Sequence, residues 1–282
     1  MNRIIESLSS AALGPALEAN MVEFWSAYGR APQRELYEGP DLIRFVTGVP
    51  FPLFNGVFRA RLTPDTVDAA IGETLARGAS RGAPLFWWIG PDTQPSDLGA
   101  YLERHGFIHA GDTPGMAVDL LALNEDQPAP ANLTIKHVED LETLKIWARV
   151  VAAGSGAPEP IHEALIDLEV GVGIAPNGSR RRYIGYQNGA PVAAAALVLN
   201  GGVAGIFAVA TLPEARRQGI GAALTLAPLR EACAAGYRVG TLQASEMGFP
   251  VYRRLGFQEA CSFGLYLWPG VMHPSGETIH GG

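Results

Sequence analysis

The sequence predicts an α/β protein of the α+β kind, with mixed sheets and two domains of one plan in tandem. Three observations carry this: helix and strand signals that alternate in a clear order over residues 133–270, a polar proline-spaced linker over residues 122–132, and a pattern that occurs once on each side of that linker. The expected division is a first domain at 1–121, the linker at 122–132, a second domain at 133–270 and a flexible tail at 271–282.

The opening MNRIIESLSSAALGPALEANMVEFW is interrupted by Glu6, Pro15 and Glu18 before a long apolar run develops, so it reads as an amphipathic helix and not as a signal peptide. The stretch ALNEDQPAPANL separates two apolar strand-like runs, MAVDLLAL and LTIKHV. LTIKHV alternates as a strand. EDLETLKIWARVVAAGSG then places apolar residues at helical spacing behind acids in its first turn, and IHEALIDLEVG continues as a second helix. Three strands follow in RRYIGYQNGAPVAAAALVLNGGVAGIFAVAT, joined at Asn188-Gly189 and Asn200-Gly201-Gly202, which is the turn chemistry of successive hairpins. After this antiparallel meander come a glycine turn, a helix to about Gly236, the strand RVGTLQAS, a short helix around FPVYRRLG and a strand pair in FQEACSFGLYLWP.

The last of these segments has a counterpart before the linker. APLFWWIG and DLGAYLERHGFIHAGDTPGMAVDL repeat the order strand, short helix, Gly-Phe, strand pair. NGVFRARLTP parallels GVAGIFAVATLP upstream of it, each a strand that runs into a helix through Pro. The pattern reads as a diverged duplication.

Bulk composition narrows the function classes. The chain has 282 residues, 48% hydrophobic and 17% charged, which describes a soluble globular protein with room for one large domain or two ordinary ones. Its formal charge of −7 comes from an acidic excess confined to residues 1–132. With no basic stripe to neutralise phosphates, nucleic acid is not an expected partner. Arg180-Arg181-Arg182, the one basic run, reads as a solvated approach to the next strand. No segment nears the roughly 18 apolar residues of a membrane helix, so no membrane partner is expected. Cys233 and Cys261 lack CxxC spacing and the six histidines never stand at metal-ligand spacing, so neither a disulfide framework nor a metal is expected. The cytoplasm is the expected compartment.

The stretch RRQGIGAAL, residues 216–224, holds the chemistry. Glycines admit a close backbone approach, and the first NH groups of a helix lack internal acceptors, so such a turn is a ready anion cradle. Arg216-Arg217-Gln218-Gly219-Ile220-Gly221 resembles the R/Q-x-x-G-x-G/A loop of the GNAT superfamily of acyl-CoA N-acyltransferases. It follows an apolar strand and opens a helix. About thirty residues on, Tyr252-Arg253-Arg254-Leu255-Gly256-Phe257 resembles that family's YxxxGF element. The resemblance covers most of residues 133–270, and residues 1–121 only as a worn, degenerate copy.

What the resemblance implies is two GNAT-like domains in tandem, the second an N-acetyltransferase that moves an acetyl group from acetyl-CoA to an amine of a small molecule or peptide. The backbone NH groups of Arg217 through Ala222 would hold the pyrophosphate, with Gly219 and Gly221 keeping Cβ atoms out of its path and Arg216 counted among the cofactor-binding residues. Val209, Ala210 and Thr211 would pair with the pantetheine amides. Tyr252 would protonate the departing thiolate. Ser245 reads as a cofactor contact, a group that orients Tyr252, or an ordinary turn hydroxyl. No acid lies in GIFAVAT or TLQAS to serve as general base, and Glu246, Glu159, His162 and Glu163 are the nearest candidates. The first domain lacks the equipment: LTPDTVDAAIGETL has no glycine cradle, and Leu102 or its neighbour Tyr101 stands where the second domain has Tyr252. Two alternatives stay open, a noncatalytic acyl-CoA sensor and an acyltransferase with another acyl donor or a specialised small-metabolite acceptor.

Overall fold

The computed structural model describes residues 3–175 and 178–270; the expected tail at 271–282, with His273 and His280, lies outside the described residues. The first half runs through helix α1 (Leu13–Ser26), strands β1 (Glu35–Glu38), β2 (Ile43–Val46) and β3 (Asn55–Phe58), helix α2 (Val67–Ser80), β4 (Leu85–Ile89), α3 (Leu98–Arg104) and β5 (Ile108–Asp119). The second half runs through β6 (Leu133–His137), α4 (Leu141–Ser155), α5 (Glu159–Val172), β7 (Arg180–Gln187), β8 (Ala190–Asn200), β9 (Val203–Thr211), α6 (Ile220–Ala234), β10 (Val239–Gln243), α7 (Phe249–Arg254) and β11 (Gln258–Trp268).

All eleven strands join one sheet in the order β1-β2-β3-β4-β11-β5-β10-β9-β8-β7-β6. The expected terminal strand pair of each half is therefore a single long strand, and the two long strands change places. β5 lies between β11 and β10, pairing Gln243 with Gly115, while β11 pairs with β4 on its other side. Linker and sheet do not divide the chain at the same point. The hairpin turns follow from backbone chirality. Asn188 and Gly189 have φ of 51° and 82°, and Gly201 and Gly202 have 65° and 79°, the left-handed pair that matches strand twist.

One face of the sheet carries a continuous apolar layer that crosses both halves. Leu17, Met21 and Phe24 of α1, Trp147 of α4 and Leu165 of α5 pack there with Phe45, Phe58, Trp88 and Phe207. The other face has two layers, α6 over the second half and α2 with α3 over the first. α1 belongs by packing to both halves. Its fully buried Asn20 donates to the carbonyls of Val198 and Asn200, each at 2.9 Å. A Cβ on Gly205 of β9 would stand 1.8 Å from Asn20 Oδ1, so this close approach requires glycine.

The basic run at Arg180–Arg182 is not solvated, contrary to the sequence reading. It lies inside β7, where alternate residues point to opposite faces. Arg180 and Arg182 both reach the buried Glu169 of α5, at 3.1 and 2.6 Å, and Tyr28 donates to the same carboxylate at 2.6 Å. Arg181, on the other face, pairs with Glu231 of α6. The two arginines beside Glu169 hold its carboxyl below the usual range despite burial.

Candidate active site

β9 and β10 run parallel and pair only through Ala204 with Gly240 and Gly205 with Thr241. Beyond that they part. The register of β9 against β8 shifts between Ala194 and Ala196, and Ala208 takes a φ of 50°, a bulge that turns the end of β9 away. On the other side of the gap, the Ala244 NH turns to the Pro114 carbonyl of the β5 segment at 2.9 Å. The opening is a cleft of about 980 Å³ lined by the end of β9, the turn into α6 and the first turn of α7.

The turn is built as the sequence indicates. Arg217 and Gly219 have φ of 61° and 80°, and Gly219 caps α6. The backbone NH groups of residues 217–222 have no backbone acceptor among the described residues, so several donors and the positive helix end face one space. The two glycines serve different needs. A Cβ on Gly219 would lie 1.7 Å from the Pro128 carbonyl oxygen, whereas one on Gly221 would meet only Thr211 Oγ1 at 3.8 Å, in open cleft. Gly219 is required by the protein's own linker, and Gly221 leaves room for something else. This donor set and its open floor fit an anionic chain such as a pyrophosphate.

The structure brings Val209, Ala210, Thr211, Arg216, Arg217, Gly219, Ile220, Gly221, Ala222, Ser245 and Tyr252 to this cleft. It does not bring Gln218, whose Oε1 accepts from Gln187 Nε2 at 2.9 Å in an exposed position. Arg216 lines the cleft, but its guanidinium is occupied by the carbonyls of Thr211 (3.1 Å) and Gly154 (3.0 Å), tying β9 to the end of α4. Ser245 Oγ accepts from the Gly248 NH at 3.2 Å, so this hydroxyl shapes the start of α7. Tyr252 is 8% exposed, and its hydroxyl has no hydrogen-bond partner among the described residues. Burial pushes its pKa up to about 12, which keeps the phenol protonated at neutral pH.

Sequence reasoning missed Gly154, Gln127, Pro128, Met247 and Arg254, which also line the cleft. Gly154 ends α4 directly against Ala210 and Thr211, and the linker crosses the cradle; neither contact has a local sequence signal. The nearest candidates for a base are not assembled here. Glu246, Glu159 and Glu163 are exposed, and His162 Nε2 faces the Ala157 carbonyl at 2.9 Å.

The first half repeats the strand geometry but not the cleft. β3 and β4 pair in parallel only through Gly56 with Phe86 and Val57 with Trp87, and Arg59, just past β3, has a φ of 54°. There the gap is closed by the chain itself: Gln94 NH donates to Ala60 at 2.9 Å, and Leu62 NH donates to Gln94 at 3.0 Å. Leu102, which stands as far before Gly106-Phe107 as Tyr252 does before Gly256-Phe257, is fully buried.

Residues 179–259 match the family model described as acetyltransferase (GNAT) domain. The fold is that of the GNAT acetyltransferases. Among solved structures, a GCN5-related N-acetyltransferase from Kribbella flavida is similar at a TM-score of 0.63 and 21% identity, covering 90% of this chain and 96% of its own. A tandem GNAT protein from the clavulanic acid biosynthesis pathway is similar at 0.59 and 15% identity, covering 96% and 99%. A GCN5-related N-acetyltransferase from Sphaerobacter thermophilus is similar at 0.57 and 16% identity, covering 96% of both. No curated protein matches the chain. Among the described residues no His, Cys, Asp and Glu cluster could hold a metal, and no helix is long and apolar enough to cross a membrane.

Proposed function

We propose that this protein is an acetyl-CoA-dependent N-acetyltransferase acting on an amine, with its working site in the cleft between β9 and β10. The observation that carries the reading is the conjunction of unpaired NH donors at residues 217–222 with the open space over Gly221 and an unpartnered, protonated Tyr252 in the same cleft. When bound, acetyl-CoA supplies an activated thioester. The NH groups of Arg217 through Ala222 hold its pyrophosphate, and Val209, Ala210 and Thr211 offer strand-edge backbone to the pantetheine arm. Tyr252 keeps its proton until the thiolate leaves and donates it from the phenol oxygen. Gln218 contributes backbone only. The acceptor is an amine of a small molecule or peptide in the cytoplasm.

The same reading takes the two halves as tandem GNAT-like units, residues 1–121 and 133–270, that have exchanged their last strands. Its support is the positive φ just after Phe in both copies, at Arg59 and Ala208, beside a glycine three residues earlier, Gly56 and Gly205. The first unit is degenerate, because the segment at Gln94 fills its gap. The test is free thiol release from acetyl-CoA against a panel of primary amines. Amine-dependent release supports an enzyme, and tight acetyl-CoA binding without release identifies a sensor.

A further inference from the structure

Acyl-CoA carries a third phosphate on the 3′ carbon of its ribose, apart from its pyrophosphate, and the cradle at residues 217–222 answers only the pyrophosphate. Two further cations stand at the same cleft. Arg217, in the turn before α6, and Arg254, the last residue of α7, both line it, and both are exposed. Neither guanidinium has a hydrogen bond, ion pair or ring contact among the described residues. Arg216 differs, because two carbonyls occupy its guanidinium. Arg217 is also held in the left-handed region, at φ 61°, where glycine would fit the turn with less strain. Arginine at that position supplies a charge that glycine lacks.

The linker sets these two arginines at one mouth of the cleft. Asn124 Nδ2 donates to the Arg254 carbonyl at 3.0 Å, and the Asn124 NH donates to the Leu255 carbonyl at 3.1 Å, which fixes the linker on the end of α7. Four residues on, the Pro128 carbonyl oxygen lies directly over Gly219 at the start of α6. Four residues of extended chain reach about 14 Å at most, so the two anchor points are no further apart than that. Gln127 and Pro128 form the wall between them. The long side chains of Arg217 and Arg254 stand at opposite ends of this short span, within reach of one ligand group. The linker's acids are not their counter-charges: Glu125 pairs with Arg230 at 2.9 Å, and Asp126 pairs with neither arginine.

We propose that Arg217 and Arg254 form a site for a phosphate monoester beside the cradle, the 3′-phosphate of acyl-CoA, and so select the 3′-phosphorylated cofactor over its dephospho form. The inference rests on the acyl-CoA reading of the cleft and goes beyond it, because the backbone cradle reads a pyrophosphate that both forms share. Each guanidinium offers paired NH donors to a phosphate, and two of them balance its two charges. Both are exposed, so the gain is modest and salt weakens it.

The test is calorimetric titration with CoA and with 3′-dephospho-CoA, which differ in that one phosphate. It is run on the parent, Arg217→Gln, Arg254→Gln, the double variant and Arg253→Gln, each with a melting curve to report folding. Arg253 is exposed, carries the same charge one residue away and does not line the cleft, so it controls for net charge. The parent binds CoA about tenfold more tightly than the dephospho form, and the ratio narrows as salt rises. Each cleft variant loses part of the ratio, the double variant brings it near one with dephospho-CoA affinity nearly unchanged, and Arg253→Gln keeps it. A parent ratio near one, or a folded double variant that keeps the parent ratio, overturns the proposal. So does an equal weakening of both nucleotides in the double variant, which would put the arginines on the pyrophosphate, and so does an Arg253→Gln ratio as low as that of the cleft variants. A parent that binds neither nucleotide overturns the acyl-CoA reading itself.

Discussion

Gly221→Val separates a glycine kept for folding from one kept for a ligand. The position has ordinary helical φ, and its missing Cβ points into open cleft with Thr211 Oγ1 the nearest atom at 3.8 Å. Valine and glycine differ by only about 0.5 kcal/mol in helix propensity, so folding stability should hardly change. The isopropyl group, however, fills the space over the unpaired NH donors. A hydrogen bond to a charged group contributes about 1.5–3 kcal/mol, and displacing the phosphate from two such donors costs about 3–6 kcal/mol, roughly 10²- to 10⁴-fold in Kd. Calorimetric titration with acetyl-CoA and a melting curve on the same sample provide the assay. Gly219→Ala makes the contrast: with φ at 80° and the Pro128 carbonyl 1.7 Å from the added Cβ, it should lower the melting temperature directly. An unchanged acetyl-CoA affinity in folded Gly221→Val would refute the assignment of the α6 turn as the phosphate site.

Tyr252→Phe removes one hydroxyl that has no hydrogen-bond partner among the described residues, so acetyl-CoA affinity and Tm should hold while kcat falls about 10²- to 10⁴-fold; equal kcat in a parent limited by chemistry excludes Tyr252 as the acid. Saturating titration should give one acetyl-CoA per chain, because Gln94 closes the first half's gap, and a second equivalent site would contradict that account. Glu18, raised from 4.5 to about 6 in the folded state, binds its proton more tightly there than in the unfolded chain. Its stabilising contribution is therefore complete below pH 4.5 and is lost as pH rises to about 6, by about 2 kcal/mol, and urea unfolding of Glu18→Gln should lack that slope. Glu169→Gln leaves Arg180 and Arg182 without their buried counter-charge, and urea unfolding should register a loss of about 3–5 kcal/mol; a loss below 1 kcal/mol would show that water reaches those guanidinia.

The second half was legible because its signals are local. The left-handed turns at Asn188-Gly189 and Gly201-Gly202 need residues that tolerate positive φ, and Gly219 stands where a helix begins; each leaves a mark within a few residues. What the sequence did not disclose depends on contacts distant along the chain. β5 and β11 have nearly the same pattern, so nothing local says which strands each one joins, and only the pairing itself places β5 beside β10 and β11 beside β4. Arg180–Arg182 looked like a surface run because its counter-charges, Glu169 and Glu231, lie on separate helices. Glu18 entered the sequence reading only as a break in an apolar run. Its isolation is visible once Gly90 and Phe263 are packed against it.

The most direct test follows the acetyl group itself. Acetyl-CoA carrying an isotopic label in its acetyl carbons is incubated with the protein and an accepted amine, and the label is located by mass spectrometry. One labelled amide is expected for each thiol released, with the yield at limiting acetyl-CoA strongly reduced in Gly221→Val and in Tyr252→Phe. Label recovered as free acetate, or left on acetyl-CoA with every amine, would contradict it.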